Sequence, residues 1–243
     1  MPKKMKRSCL LLALLGVCLL VGKSGGELTQ ADGAARVTLP QTMPLVAITF
    51  DDGPRAGITQ RLLDGLALRE VPATFFLVGE CLPGNEELVR RMAREGHQIG
   101  VHTQDHVRLQ GLSRKDFDQQ VGKTRAMLSE LLGTRDFWLR PPYGITDNWA
   151  RAWSGGPIIL WSVDPEDWKD RDTYRIVGAV MQRVEDGDII LLHDIYESSV
   201  DAALQIVDQL QERGFCLVTV EQLLALRGVK AENGVEYRCV PPA

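Results

Sequence analysis

Two aspartates, Asp51 and Asp52, stand side by side at the end of the apolar run in "VAITFDDGP", residues 46–54. Like charges so placed imply either a solvated acidic turn or a cation beside them. Three of the four histidines favour the cation, because His102 and His106 in "VHTQDH" and His193 in "IILLH" also follow apolar runs. His102 and His106 are four residues apart, which puts both imidazoles on one face if the chain turns helically there. With one carboxylate they make a two-His, one-carboxylate set, and catalytic zinc commonly takes three protein ligands while keeping a fourth position for water. A zinc protease would carry Glu after the first histidine, and Thr103 stands there instead. A divalent ion lowers the pKa of a bound water from about 15.7 toward about 7, and a neighbouring carboxylate can then accept its proton as general base. The two aspartates can divide these tasks, since Gly53 and Pro54 end the strand alternation that would send them to opposite faces.

His193 has no metal-binding neighbour in the sequence and suits a different task, protonating a leaving group. Asp167 or Asp164 can accept its other N–H and support its charge. Arg140, which precedes two prolines in "RPPYG", is a permanent cation able to hold one carboxylate ionised.

These residues need elements to carry them. Seven runs rich in β-branched and aromatic residues, "LVAITF", "ATFFLV", "HQIGV", "DFWL", "PIILWSV", "DIILL" and "FCLVTV", read as strands. Amphipathic helical patterns lie between most of them: "ITQRLLDGLALRE", "NEELVRRMARE", "RKDFDQQVGKTRAMLSELL", "TYRIVGAVMQRVE", "SVDAALQIVDQLQER" and "VEQLLALR". The alternation predicts an α/β fold with a parallel sheet and helices outside, wound open or closed as a barrel, and an active site at the C-terminal strand ends. Five of the seven runs end at that edge in polar residues: Asp51 and Asp52, "HTQDH", "RPPYG", "DPEDW", and His193 with Asp194. In this architecture the five ends face one another across one rim.

At 243 residues, 44% hydrophobic and 25% charged, the chain suits one substantial core. A net charge of -4 supplies no basic field for nucleic acid, and no stable protein partner is implied. Lys3, Lys4, Lys6 and Arg7 precede "CLLLALLGVCLLV" and then "GKSGG", the three-part pattern of a secretory signal. The apolar stretch is shorter than the roughly 20 residues of a membrane span. The expected division is a cleaved signal at 1–26, an exposed leader at 27–43, a domain at 44–228 and a C-terminal tail at 229–243, in a secreted or envelope-associated protein. An uncleaved anchor is an alternative, as is a lipoprotein site at Cys18, against which Val17 stands. Outside the signal, Cys81, Cys216 and Cys239 allow at most one disulfide, with Cys81 and Cys239 as the candidate pair; no CxxC pair offers a thiolate zinc site.

In chain order, "TFDDGP", "HTQDH", "RPPYG", "DPEDW" and "LLH" resemble the five motifs of the NodB-type polysaccharide deacetylases, carbohydrate esterase family 4, over residues 44–226. The resemblance implies a distorted (β/α)7 barrel and metal-dependent removal of acetyl groups from sugars. It implies that Asp51 is the general base, that Asp52, His102 and His106 are the metal ligands, and that Arg140 orients the base. Tyr143 is similar to the residue whose backbone N–H helps stabilise the oxyanion. His193 matches the general acid, Asp167 its carboxylate partner, and Leu191 with Trp168 the apolar wall for the acetyl methyl. Val101 and Val107 stand where relatives often carry Asn and Pro, and Asp52 stands where sporulation-type muramic acid deacetylases usually have Asn. The expected substrate is an N-acetylated glycan, peptidoglycan N-acetylglucosamine first and chitin-like oligomers next, with zinc as the expected metal and cobalt able to serve. Rival readings are an O-acetyl esterase on xylan using the same site, and a non-haem iron oxygenase, whose HxD spacing is absent. A third is a non-catalytic wall-binding module, whose mark would be loss of Asp51 or His193.

Overall fold

A computed structural model describes residues 43–242. The expected signal, the leader up to residue 42, Cys9 and Cys18 lie outside the described residues. Strand β1 (Leu45–Asp51) is buried along its whole length, as a strand covered on both faces must be. Beside it run β2 (Thr74–Leu77) and then β3 (Gln98–Val101) on one side, and β5 (Ile189–His193) on the other, all parallel. β6 (Cys216–Leu217) pairs with the first two residues of β1. From β3 the wall continues through Leu139, which bridges Val101 and Ile158 of β4 (Ile158–Ile159), and returns through Val163 to Ile190 of β5. The sheet thus closes on itself as the distorted barrel that the motifs imply.

Alternation along the strands separates two cores. Val46, Ile48 and Phe50 of β1, Phe75 and Leu77 of β2, and Ile190 and Leu192 of β5 pack outward in one apolar cluster. There they meet Leu62, Leu63 and Leu66 of α1 (Ile58–Leu68) and Ile206, Val207 and Leu210 of α7 (Glu197–Glu212). At about 1.5–3 kcal/mol for each fully buried large apolar side chain, this cluster is the main source of stability. The residues between them, Thr49, Asp51, Phe76 and His193, face the barrel interior. Further helices are α2 (Glu86–Arg94), α3 (Arg114–Phe117) running through a π turn into α4 (Lys123–Leu132), α5 (Asn148–Trp153), α6 (Thr173–Met181) and α8 (Val220–Leu226).

The wall departs from the expected seven regular strands on its far side. "DFWL" contributes only the bridge at Leu139, and "PIILWSV" splits into β4 and the bridge at Val163. The reason is that this segment changes partners. Ile159 N–H donates to Leu139 O at 2.8 Å, whereas Ile158 and Leu160 N–H donate to Val235 and Tyr237 at 2.9 and 2.8 Å, and Leu191 N–H then reaches Val163 O at 2.9 Å. Residues past 228, read from the sequence as a tail, supply those partners. Glu236–Tyr237 form β7 parallel to β4, Cys239 bridges Asp188, and the N–H of buried Val240 donates to Gly187 O at 2.7 Å. This stretch fills the gap where β4 diverges from β5. Cys81 and Cys239 are not bridged: both are free thiols. Cys81 follows the C-terminal end of β2 and Cys239 lies against the N-terminal end of β5, so they sit at opposite ends of the barrel.

Candidate active site

Pairing in register brings the first two groups together, since Asp51 on β1 lies opposite His193 on β5. Asp51 ends its strand facing inward. Asp52 then takes a left-handed φ of 75° and leaves the strand, and the next peptide, Gly53–Pro54, is cis. The two carboxylates are therefore in different places.

Asp51 is buried and held by Arg140, whose Nη1 donates to Oδ1 at 2.8 Å. Arg140 is itself fully buried and donates also to Thr49 Oγ1 and to the carbonyls of Ile159 and Leu160 at 2.7, 3.1 and 2.9 Å, with its face 4.1 Å from the Phe76 ring. Burial works to lower the Arg140 pKa and Asp51 works to raise it, and a guanidinium so furnished with acceptors stays charged. With Oδ1 so held, Oδ2 is left to face His102, 3.6 Å from Nε2.

His102 and His106 converge without a helix. Thr103 and His106 adopt left-handed φ of 67° and 57°, so a tight loop replaces the helical turn expected from the HxxxH spacing and sets the rings 5.0 Å apart. His102 Nδ1 lies 2.8 Å from Arg140 O, which makes Nδ1 the N–H and turns the Nε2 lone pair inward. Burial pushes the His102 pKa down, against Asp51 and Asp52, so the ring is neutral. Asp52 Oδ1 sits 3.5 Å from His102 Nε2 and 3.3 Å from His106 Nε2. That oxygen is buried and has no hydrogen-bond partner. Three electron-pair donors within 4.8 Å of one another repel unless a cation lies among them, so Asp52, His102 and His106 fit a divalent metal.

His193 sits on the opposite flank. Its Nδ1 lies 2.8 Å from Asp167 Oδ1, and its backbone N–H donates to Oδ2 at 2.9 Å. Burial alone would lower its pKa, but the Asp167 hydrogen bond and charge, with Asp51 and Asp52, hold it up to about 9. The imidazole is thus protonated at neutral pH. Asp164, the other partner open from sequence, instead accepts the Glu166 N–H at 2.8 Å. Tyr143 occupies a 3-10 turn with φ of 63°, its ring edge-on to His106 at 4.9 Å. Leu191 is buried two residues before His193 on the same face of β5, and exposed Trp168 follows Asp167.

Two supports escaped the sequence reading. Thr49 accepts from Arg140 and donates to Ile190 O at 2.6 Å. Asp194, noted only as a strand-end acid, is fully buried, accepts from Thr59 Oγ1 at 2.5 Å, and lies so close to Gly53 that a Cβ there would fall 2.3 Å from Oδ1. It props the Asp52–Pro54 turn from below.

With this geometry in hand, the sequence finds relatives along the whole domain. A chitooligosaccharide deacetylase of Sinorhizobium fredii is 35% identical over 196 residues, 74% of this chain and 91% of that protein. The chain belongs to the polysaccharide deacetylase family. The family model described as polysaccharide deacetylase matches residues 39–153, which include "TFDDGP", "HTQDH" and "RPPYG". A Bacillus subtilis protein named peptidoglycan-N-acetylmuramic acid deacetylase PdaC is 40% identical over 186 residues, 76% of this chain. This polysaccharide deacetylase chain spans only about two fifths of PdaC's length, 40%. Among solved structures, a family 4 acetyl xylan esterase from Clostridium thermocellum, in complex with a cobalt ion, is 31% identical with a TM-score of 0.77, over 81% of this chain and 99% of that one.

Proposed function

We propose that this polysaccharide deacetylase domain removes N-acetyl groups from an amino-sugar polysaccharide outside the cytoplasm, with peptidoglycan N-acetylglucosamine or chitin-like oligomers as substrate and zinc as the metal. The observation that carries the reading is the pair of oriented groups that face one pocket. Buried Arg140 donates to Asp51 Oδ1 at 2.8 Å and leaves Oδ2 free, while Asp167 Oδ1 lies 2.8 Å from His193 Nδ1 and leaves Nε2 free. A base and an acid so fixed can act in one hydrolysis.

A divalent ion held by Asp52, His102 and His106 supplies Lewis acidity and a more acidic water. The chain's own groups do the rest. Asp51 Oδ2, left free by Arg140, accepts the proton of the water that attacks the acetyl carbonyl. The Tyr143 backbone N–H donates to the oxyanion that develops. His193 Nε2–H protonates the sugar nitrogen as the carbon–nitrogen bond breaks, and Asp167 keeps the imidazole in the correct orientation throughout. Leu191 and Trp168 seat the acetyl methyl. The products are acetate and a free amine. The apolar, lysine-led N-terminus supports an exported protein acting at the envelope.

A second reading, O-deacetylation of xylan, has support in the likeness to the xylan esterase. An alcohol leaves more easily than an amine, so His193→Ala should spare ester substrates more than amides. The deciding experiment measures acetate release from peptidoglycan, chitin oligomers and acetylxylan side by side, before and after chelation and with metals restored. We expect release from an N-acetylated glycan, loss on chelation and recovery with zinc. Activity that survives chelation, or acts on acetylxylan alone, would overturn the proposal.

A further inference from the structure

Two arginines docked on the loop after His193 have, among the described residues, no acidic partner. Arg55, three residues after Asp52, donates from Nη1 to Ile195 O at 3.0 Å. Arg171, three residues after Trp168, has its guanidinium carbon over the Tyr196 ring, 3.8 Å from its centre. Ile195 and Tyr196 belong to the short loop between β5 and α7, immediately after His193 and Asp194. Two cations from different parts of the chain therefore dock on the loop that holds the candidate acid. Both are exposed, and among the described residues neither forms an ion pair.

The acids of the same arc are already engaged. Glu166 pairs with Lys169 at 3.1 Å, Asp170 with Arg175 at 2.8 Å and Glu197 with Arg61. Asp172 caps α6 by accepting the Arg175 N–H, and Asp194 is buried against Thr59. Two guanidiniums without a carboxylate partner are thus left at one sector of the mouth. Arg55 spends a single donor on its carbonyl, and among the described residues the Arg171 guanidinium makes no hydrogen bond, so donors of both remain free. Planar forks of this kind suit a carboxylate, which can accept two parallel hydrogen bonds.

We propose that Arg55 and Arg171 form an anion subsite beside His193 that takes a carboxylate carried by the glycan. This rests on the deacetylase reading and narrows it, from any N-acetylated glycan to one that bears carboxylates near the reacting acetamide. The carboxylate can come from an acid ether on a neighbouring sugar or from a peptide attached to it. A neutral chitin oligomer has neither.

The test compares kcat/KM on three oligosaccharides of equal length: a chitin oligomer, a peptide-free peptidoglycan oligomer and a peptide-bearing one. Wild type, Arg55→Gln, Arg171→Gln and the double variant are measured, each with a thermal melt to verify folding. The double variant should lose about tenfold or more on carboxylate-bearing substrates, mainly in KM, because two charge-assisted contacts go. Its chitin activity should match wild type, and added salt should weaken only the carboxylate-bearing reactions. Loss on both peptidoglycan oligomers assigns the sugar acid, and loss on the peptide-bearing one alone assigns the peptide. Equal loss on chitin, or no loss on any substrate, overturns the subsite. Calorimetric binding of the same oligomers reads the subsite even where no acetate is released: arginine-dependent binding without turnover would sink the deacetylase reading and keep the subsite.

Discussion

Asp51 and Asp52 are neighbours in the chain but not in environment, and their variants should part accordingly. Asp52→Ala removes one of three converging donors, so metal content after dialysis, read by mass spectrometry, should fall to background. Asp51→Asn leaves the three donors intact and should retain the metal while losing about 10²–10⁴ in turnover, the usual span for a general base. Loss of metal from Asp51→Asn would contradict the division. The chemistry at this scale was legible because it depends on residue type: aspartate, histidine and arginine at strand ends announce themselves. The backbone that aims them was not. Five non-glycine residues of the rim, Asp52, Thr103, His106, Tyr143 and Glu166, have left-handed φ between 55° and 75°. Each such conformation costs on the order of 1–3 kcal/mol and persists only where surrounding contacts enforce it. No local sequence preference predicts that, which is why the HxxxH pair invited a helix and received a loop.

At the scale of elements, His97 shows how a histidine outside the site is used. It precedes β3, is almost fully buried with its ring edge-on to Phe75 at 5.3 Å, and accepts the Ala73 N–H at Nδ1 from 3.0 Å. It thereby joins the starts of β2 and β3. Burial pushes its pKa down to about 4, against the pull of Glu95. Between that value and the 6.5 of an unfolded imidazole, the folded state binds fewer protons than the unfolded one. Stability is therefore complete above pH 6.5 and falls as pH drops toward 4, by about 3 kcal/mol in all. His97→Asn can keep the acceptor without the titration. Its urea midpoint should lie closer to wild type at pH 4.5 than at pH 7.5, and parallel pH profiles would refute the assignment. The strands and helices on this side of the barrel were plain from their alternation, because each packs a full apolar face. β4 was not, because its short segment shares its hydrogen bonds among Leu139, β7 and β5 instead of pairing with one long neighbour.

For the whole molecule, the decisive element is the stretch 236–240 that fills the wall between β4 and β5. Gly187 admits it: φ is 95° there, and a Cβ would fall 2.2 Å from Val240 O. Gly187→Ala should cost about 1–3 kcal/mol in urea unfolding. Gly214→Ala, at φ of 86° with nothing within 4 Å, bears only the conformational part and should cost less. Truncation after Gly228 should destabilise further and release Gly187 from its constraint, so that Gly187→Ala then costs no more than Gly214→Ala. Equal costs in the full chain would mean that the contact is not structural. Periodicity alone hid this role, since two residues of β7 offer no repeat to read.

The same stretch sets an order on biosynthesis. A polypeptide leaves the ribosome N-terminus first, so Asp52, His102, His106 and then His193 emerge before residues 236–240. Forty-seven residues separate His193 from Val240, roughly 2–9 seconds at about 5–20 residues per second. Every reactive group of the rim is therefore made before the stretch that completes the wall, and no barrel with a finished wall can form until residues 236–240 are present.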